Sequence, residues 1–224
     1  MGEGAAYDIT NPIKPILLTK YFPKLSHNDD DFLAFAVDST EKYLFVSICS
    51  GPRIVIMNIE NLQMAVIVGF FYIKECACVM NLDTIKGLLF AGLYDGDIEV
   101  YDVCNPKKVV LKTTLVATES DQNDVMDLIV DPTRKRLFSL IAFNRAISIW
   151  DIHDLNKPKY IQRVNLQCTS CFTFDEKTNR LFVAFDDGKI NVYQVPQKNY
   201  YSKDYEKVYK TLYSLADATF DFFE

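Results

Sequence analysis

Six cysteines, two histidines and a run of three consecutive aspartates are the residues of this 224-residue chain whose chemistry invites attention first. Cys76-x-Cys78 and Cys168-x-x-Cys171 offer four thiolates, the ligand number of a structural zinc site. Both pairs fall in stretches that read as β-strands. Alternate residues of a strand face one way, so Cys76 and Cys78 share a face while Cys168 and Cys171 point to opposite faces. The expectation is therefore no metal, with all of the cysteines but Cys104 lying in strands as small buried hydrophobes. General acid-base chemistry has only His27 and His153 to draw on. His27 stands in the polar stretch Ser26-His27-Asn28-Asp29-Asp30-Asp31 and His153 in a connection, and neither is accompanied by a nucleophile signature. Asp29, Asp30 and Asp31 lack the alternating oxygen ligands and turn glycine of a calcium loop, so they read as a solvated acidic loop. With eight glycines in all, no glycine-rich phosphate cradle can be placed. These residues predict a non-enzymatic chain with no cofactor.

A second set of carboxylates leads to the elements. Asp38, Asp83, Asp131 and Asp175 each follow an apolar residue, and each is followed by five residues and then Leu-Phe. The phenylalanines of these signatures, Phe45, Phe90, Phe138 and Phe182, are separated by 45, 48 and 44 residues. That period belongs to repeat architectures and above all to four-stranded propeller blades. The five intervening residues are polar or turn-forming, and an Asp that opens such a turn accepts backbone N–H groups two residues on. A turn thus predicts a first hairpin between the strand before Asp and the strand opened by Leu-Phe. Asp95-Gly96 and Asp187-Gly188 mark a second hairpin. Third strands alternate, as in Asp97-Ile98-Glu99-Val100-Tyr101-Asp102-Val103. Outer fourth strands follow proline-containing connections at Gln63 to Phe70, Lys108 to Val116 and Lys159 to Asn165.

The same template reads the ends. Ala6 to Ile9 matches a third strand and Ile16 to Leu18 a fourth, so the chain is expected to begin in mid-blade. Residues 197–224 form a tyrosine-rich linker, then an outer strand and the first strand of a further blade, or alternatively an amphipathic helix through Tyr205, Val208, Tyr209 and Leu212. The resulting fold class is an all-β propeller of four-stranded antiparallel blades, four full repeats with partial blades from both termini. Its boundaries are a partial blade over 5–24, blades over about 32–72, 75–117, 124–166 and 168–196, and the terminal segment. The register leaves open whether the termini co-build one blade or the chain is a piece of a longer propeller.

Trp150-Asp151, preceded by Ile147-Ser148-Ile149, together with the Asp-x5-Leu-Phe turn and the Asp-Gly hairpin, resembles a WD repeat. The pattern departs from that family in having one Trp-Asp, no Gly-His dipeptide and no recurrent buried His. Asp8-Ile9-Thr10-Asn11-Pro12 and Asp102-Val103-Cys104-Asn105-Pro106 are similar to the connections of LVIVD-type propeller repeats. Cys168 to Phe174, Asp186 to Ile190 and Asp204-Tyr205-Glu206-Lys207 resemble WD-repeat adaptors that carry a FYVE zinc finger, though no such finger occurs in this sequence. These resemblances imply a propeller, and the last implies an adaptor role in membrane trafficking.

A net charge of -6 with a pI near 5.0 argues against a general nucleic-acid binder, which needs a basic face to release counterions. No apolar run approaches the length of about 20 residues that spans a bilayer, and Met1 to Ala6 lack the features of a secretory signal, so a cytoplasmic location is expected. The function expected is a scaffold that binds other proteins through its loops. The loops containing His27, Asp29, Asp30, Asp31, Asp121 and Asp124 precede first strands of their repeats and so share one face, the candidate protein-binding surface. A structural subunit of a large assembly is the alternative.

Overall fold

Seventeen β-strands and one short 3-10 turn account for the described elements of the computed structural model, which describes residues 4–21, 32–116, 123–142, 146–166 and 169–195. The chain forms two compact units, Met1–Val125 and Met126–Glu224.

The first unit holds a two-stranded sheet and two four-stranded antiparallel meanders. In the two-stranded sheet β1 (Gly4–Asp8) pairs β2 (Ile16–Tyr21), with Tyr7 opposite Leu17. The first meander is β3 (Phe32–Val37), β4 (Tyr43–Ile48), β5 (Arg53–Asn58) and β6 (Val66–Tyr72). The second is β7 (Ala77–Asp83), β8 (Leu88–Leu93), β9 (Ile98–Asp102) and β10 (Val110–Leu115). The second unit carries the meander β11 (Val125–Asp131), β12 (Arg136–Ile141), β13 (Ala146–Asp151) and β14 (Lys159–Asn165), whose first residue belongs to the first unit. Its last sheet is β15 (Thr169–Asp175), β16 (Arg180–Phe185) and β17 (Ile190–Gln194). The expected terminal outer strand, partial blade or helix lies outside the described residues.

The repeated aspartates set the first hairpins as their spacing predicts. Asp38 accepts the backbone N–H of Lys42 at 2.8 Å and of Tyr43 at 2.7 Å. Asp83 accepts those of Ile85 and Lys86 at 3.0 and 3.1 Å, Asp131 that of Arg134 at 3.1 Å, and Asp175 that of Lys177 at 3.0 Å. Each turn also needs one residue with positive φ, supplied by Glu41 (56°), Gly87 (63°), Lys135 (56°) and Asn179 (57°). The connections leading to the outer strands repeat a second device. Asp8, Asn58, Asp102 and Asp151 each accept the N–H two residues on, a bond that closes an Asx turn.

Leu-Phe opens the second strand because it must be buried. Phe45, Phe90 and Phe138 are 1%, 0% and 0% exposed. The middle strands depart from the expected alternation: β5, β9 and β13 are buried on both faces, since the middle of a packed meander is covered from either side. In the first unit Phe45, Ile54 and Ile56 pack with Ala77, Leu89, Leu93 and Tyr101 in one core, while Val46, Ile48, Val55 and Met57 form another. In the second unit Phe138, Ile147 and Ile149 pack with Phe172, Leu181 and Val183. The outer strand expected from Gln63 also starts later. Leu62–Met64 is a 3-10 turn and pairing with β5 begins at Val66, because the backbone first closes the bond from Met64 N–H to Asn61 O at 3.0 Å.

Buried charges link neighbouring sheets within the second unit. Arg136, 1% exposed, donates to Asp131 Oδ2 at 2.6 Å and to Asn179 Oδ1 at 2.8 Å. Asn179 Nδ2 donates in turn to Val195 O. The guanidinium lies over the rings of Phe138 and Phe174, 5.5 and 5.7 Å from their centres, so its flat faces are also satisfied.

Candidate protein-binding face

In a meander, the β4–β5 and β8–β9 turns come out at the strand ends where one blade passes to the next. The first unit therefore gathers Ser50 to Pro52, Ile73 to Cys76, Tyr94 to Asp97 and Asn123-Asp124 at one end of its strands. This is the end at which sequence reasoning places the acidic loops. Of those residues the structure describes Asp124, which is half-buried; His27, Asp29, Asp30, Asp31 and Asp121 lie outside the described residues. Asp124 stands near Cys78 on β7. Burial first, and the charge of Asp124 second, push the Cys78 thiol up to about 12. A nucleophile is a thiolate, so Cys78 is in the wrong form for that role near neutral pH.

Lys74 organises the centre of this end. Its ammonium bridges Asp95 Oδ2 at 2.7 Å and Asp97 Oδ2 at 2.6 Å, and these two hydrogen bonds raise its pKa. The Lys74 backbone N–H donates to Glu99 Oε2 at 3.3 Å, and Tyr101 Oη donates to the same oxygen at 2.6 Å. Burial, and then the bond to Glu99, raise the Tyr101 phenol. Glu99 and Asp97 are 5% and 6% exposed, and a buried carboxylate is tolerable only where donors of this kind meet it. Gly96 takes a φ of 88° in the turn between Asp95 and Asp97, a value that glycine accepts without strain. Tyr94 N–H donates to Cys76 O at 3.0 Å and Ile73 N–H to Pro52 O at 3.2 Å, which locks the connection to both flanking turns. Arg53 closes the neighbouring turn by donating to Ser50 O at 2.5 Å and Gly51 O at 3.0 Å.

The cysteines depart from expectation here. Cys49 and Cys76 lie outside the strands and are joined as a disulfide, their Cα atoms 5.0 Å apart. Their neighbours Ser47 and Ala77 are hydrogen-bonded at 2.8 Å, so the two backbones are held within disulfide reach by other contacts. Cys78 lies in β7 and Cys171 in β15, while Cys168 is outside the described residues. Among the described residues no group of three His, Cys, Asp or Glu side chains is placed to hold a metal ion.

The second unit builds the equivalent turn from Asp187-Gly188-Lys189. Lys189 Nζ reaches Asp187 Oδ2 at 2.7 Å, and this bond first, then the Lys189 N–H, hold the carboxyl below its ordinary value. His153 is placed on the connection after β13, where its N–H donates to Asp151 Oδ1 at 2.8 Å. Sequence reasoning passed over Lys74, Asp97, Glu99 and Arg136. The signal available was a charge at the centre or mouth of an otherwise apolar strand, as with Glu99 between Ile98 and Val100.

No protein-family model matches the chain, and no curated protein sequence does. Solved structures do. The β-propeller domain of Cps50 (Swd1) from Myceliophteria thermophila is similar over 86% of this chain and 63% of its own, with 14% identity and a TM-score of 0.66. A putative 6-phosphogluconolactonase from Bacteroides uniformis is similar over 81% of this chain and 57% of its own, with 13% identity and a TM-score of 0.68. Sqt1 from Saccharomyces cerevisiae is similar over 78% of this chain and 47% of its own, with 13% identity and a TM-score of 0.60. The chain thus spans less than two thirds of each of these structures. Likeness at this identity concerns the fold, and the fold is an all-β propeller of four-stranded antiparallel blades.

Proposed function

We propose that the chain is a non-enzymatic propeller scaffold that binds other proteins through the loops at the blade-to-blade end of its strands. The observation that carries this reading is how that end is built in the first unit. Lys74, Asp95, Asp97 and Glu99 spend their charges on holding the turns in one conformation, and this leaves a preformed platform for variable loops. Cys78 is a protonated thiol and the repeated aspartates are engaged by backbone N–H groups, so the groups most able to do chemistry are already committed to structure. A WD-repeat or LVIVD-type kinship is part of the same proposal, as is a cytoplasmic location.

The test is affinity capture with the purified chain and with a variant in which Asp29, Asp30, Asp31, Asp121 and Asp124 are each replaced by Lys. Binding proteins that are recovered with the wild type and lost with the variant support the acidic-loop surface. Full retention of every one of them sinks it. Turnover of a phosphorylated sugar lactone by the purified chain would overturn the non-enzymatic reading, and the lactonase-like neighbour makes that assay worth running.

A further inference from the structure

One covalent bond ties the first meander to the second: Cys49 follows β4, Cys76 precedes β7, and the two are joined. Their sulfurs are unequally placed. Cys76 is 7% exposed and its carbonyl accepts the Tyr94 N–H at 3.0 Å, whereas Cys49 is half-buried beside the exposed Ser50. Bonds that do not involve sulfur hold the same segments. Ser47 Oγ donates to Ala77 O at 2.8 Å, and Ile73 N–H donates to Pro52 O at 3.2 Å. Two thiols at these positions therefore stay neighbours when the bond is open, and held reactants close again readily. Among the described residues Cys78, Cys104 and Cys171 are free. Burial keeps Cys78, two residues from Cys76, as a thiol, and a thiol is not the exchanging form, so it does not compete for Cys49.

We propose that Cys49 and Cys76 form a reversible redox latch between these two meanders, and that it exchanges with low-molecular-weight thiols through Cys49. Access decides which sulfur is attacked, and Cys49 is the more exposed of the two. In opening, an external thiolate attacks Cys49 Sγ, the bond to Cys76 Sγ breaks, and its electron pair leaves on Cys76, which takes a proton from water. A second external thiolate attacks the external sulfur of the mixed disulfide, and Cys49 leaves as a thiolate and is protonated. The protein disulfide is thereby reduced to two thiols, and two external thiols are oxidised to one disulfide. Closing runs the other way: Cys49 takes up half of an external disulfide, and Cys76 expels it. Opening removes the covalent tie and leaves the sheet hydrogen bonds, so the fold persists while the joined segments loosen locally.

Incubating the full chain at graded ratios of reduced to oxidised glutathione, followed by acid quenching and peptide mass spectrometry, tests this. The wild type is expected to pass between disulfide and dithiol with an unchanged circular dichroism spectrum, and the mixed disulfide trapped on the way is expected on Cys49. Hydrogen exchange at the Ile73 amide should rise at least about tenfold on opening, with that of Val100 in β9 unchanged. Cys76→Ser is expected to stop at the mixed disulfide on Cys49, and Cys49→Ser to slow uptake of glutathione at Cys76 at least about tenfold. Should either variant lose its circular dichroism spectrum, the quenched wild type still locates the adduct. A bond that stays closed at every ratio, an adduct recovered on Cys76, a β-sheet spectrum lost on opening, or unchanged exchange at Ile73 overturns the proposal.

Discussion

Arg136 stands one residue before Leu137-Phe138, and its side chain is 1% exposed between Asp131, Asn179 and two aromatic rings. Truncating one member of a buried ion pair strands the other, so Arg136→Met is expected to destabilise the protein by about 3–5 kcal/mol in urea unfolding. Arg136→Lys should recover only part of that loss, because an ammonium cannot reach Asp131 and Asn179 with the geometry of a planar fork. Gly92 makes a different demand. A Cβ added there would lie 2.6 Å from Val125 Cγ1, 2.7 Å from Val125 Cβ and 2.9 Å from Val79 Cγ1. Gly92→Ala is expected to lower stability by about 1–3 kcal/mol, the usual cost of overpacking, and an unchanged unfolding midpoint would contradict the packing described. Neither demand can be read from a local sequence window. Arg136 looks like an exposed turn residue, and Gly92 like an ordinary strand glycine, until the facing side chains are known.

Among elements, the Asp-x5 turn recurs, and its carboxylates give acid stability a predictable sign. The Thr178 hydroxyl, followed by backbone N–H groups, holds Asp175 below its ordinary value of 3.8. At Asp38 burial pulls the other way, but the Thr40 hydroxyl and the N–H groups of Tyr43, Lys42 and Thr40 outweigh it. A carboxyl whose folded pKa is depressed stabilises the fold above its unfolded pKa and loses that contribution as pH falls through the folded one. Unfolding midpoints should therefore fall as pH drops below about 4, and Asp175→Asn should flatten that fall. Asp127 has the opposite sign, because burial raises its carboxyl despite the N–H groups of Phe172 and Leu128. Asp127→Asn is expected to be neutral or stabilising near neutral pH, where the wild-type carboxylate is ionised at a cost. A midpoint that rose on acidification through this range would contradict the assignment of the turn aspartates.

For the whole molecule, the Cys49–Cys76 bond bears on stability. It joins the end of β4 to the start of β7 across 27 residues of sequence. In the chain-entropy account a loop of this size is worth about 3–4 kcal/mol, so Cys49→Ser should lower the unfolding midpoint under oxidising conditions and leave it unchanged under reducing ones. Alkylation of the unfolded, unreduced protein followed by peptide mass spectrometry should leave Cys49 and Cys76 unlabelled. If both are labelled in protein purified without reductant, the pair is a dithiol and the bond described here is absent.

The 44–48-residue period, the turn aspartates and the recurrent Leu-Phe pairs were determined by the amino-acid sequence alone, because hairpin geometry is local and repeats in register. From them followed the all-β propeller class and the two opening strands. Tertiary structure decided the rest. Residues distant in sequence meet only when sheets stack, so the roles of Lys74, Glu99 and Arg136, the Cys49–Cys76 bond and the burial of middle strands on both faces became visible only there. The four repeated aspartates are, in the folded chain, acceptors for the N–H groups of their own turns.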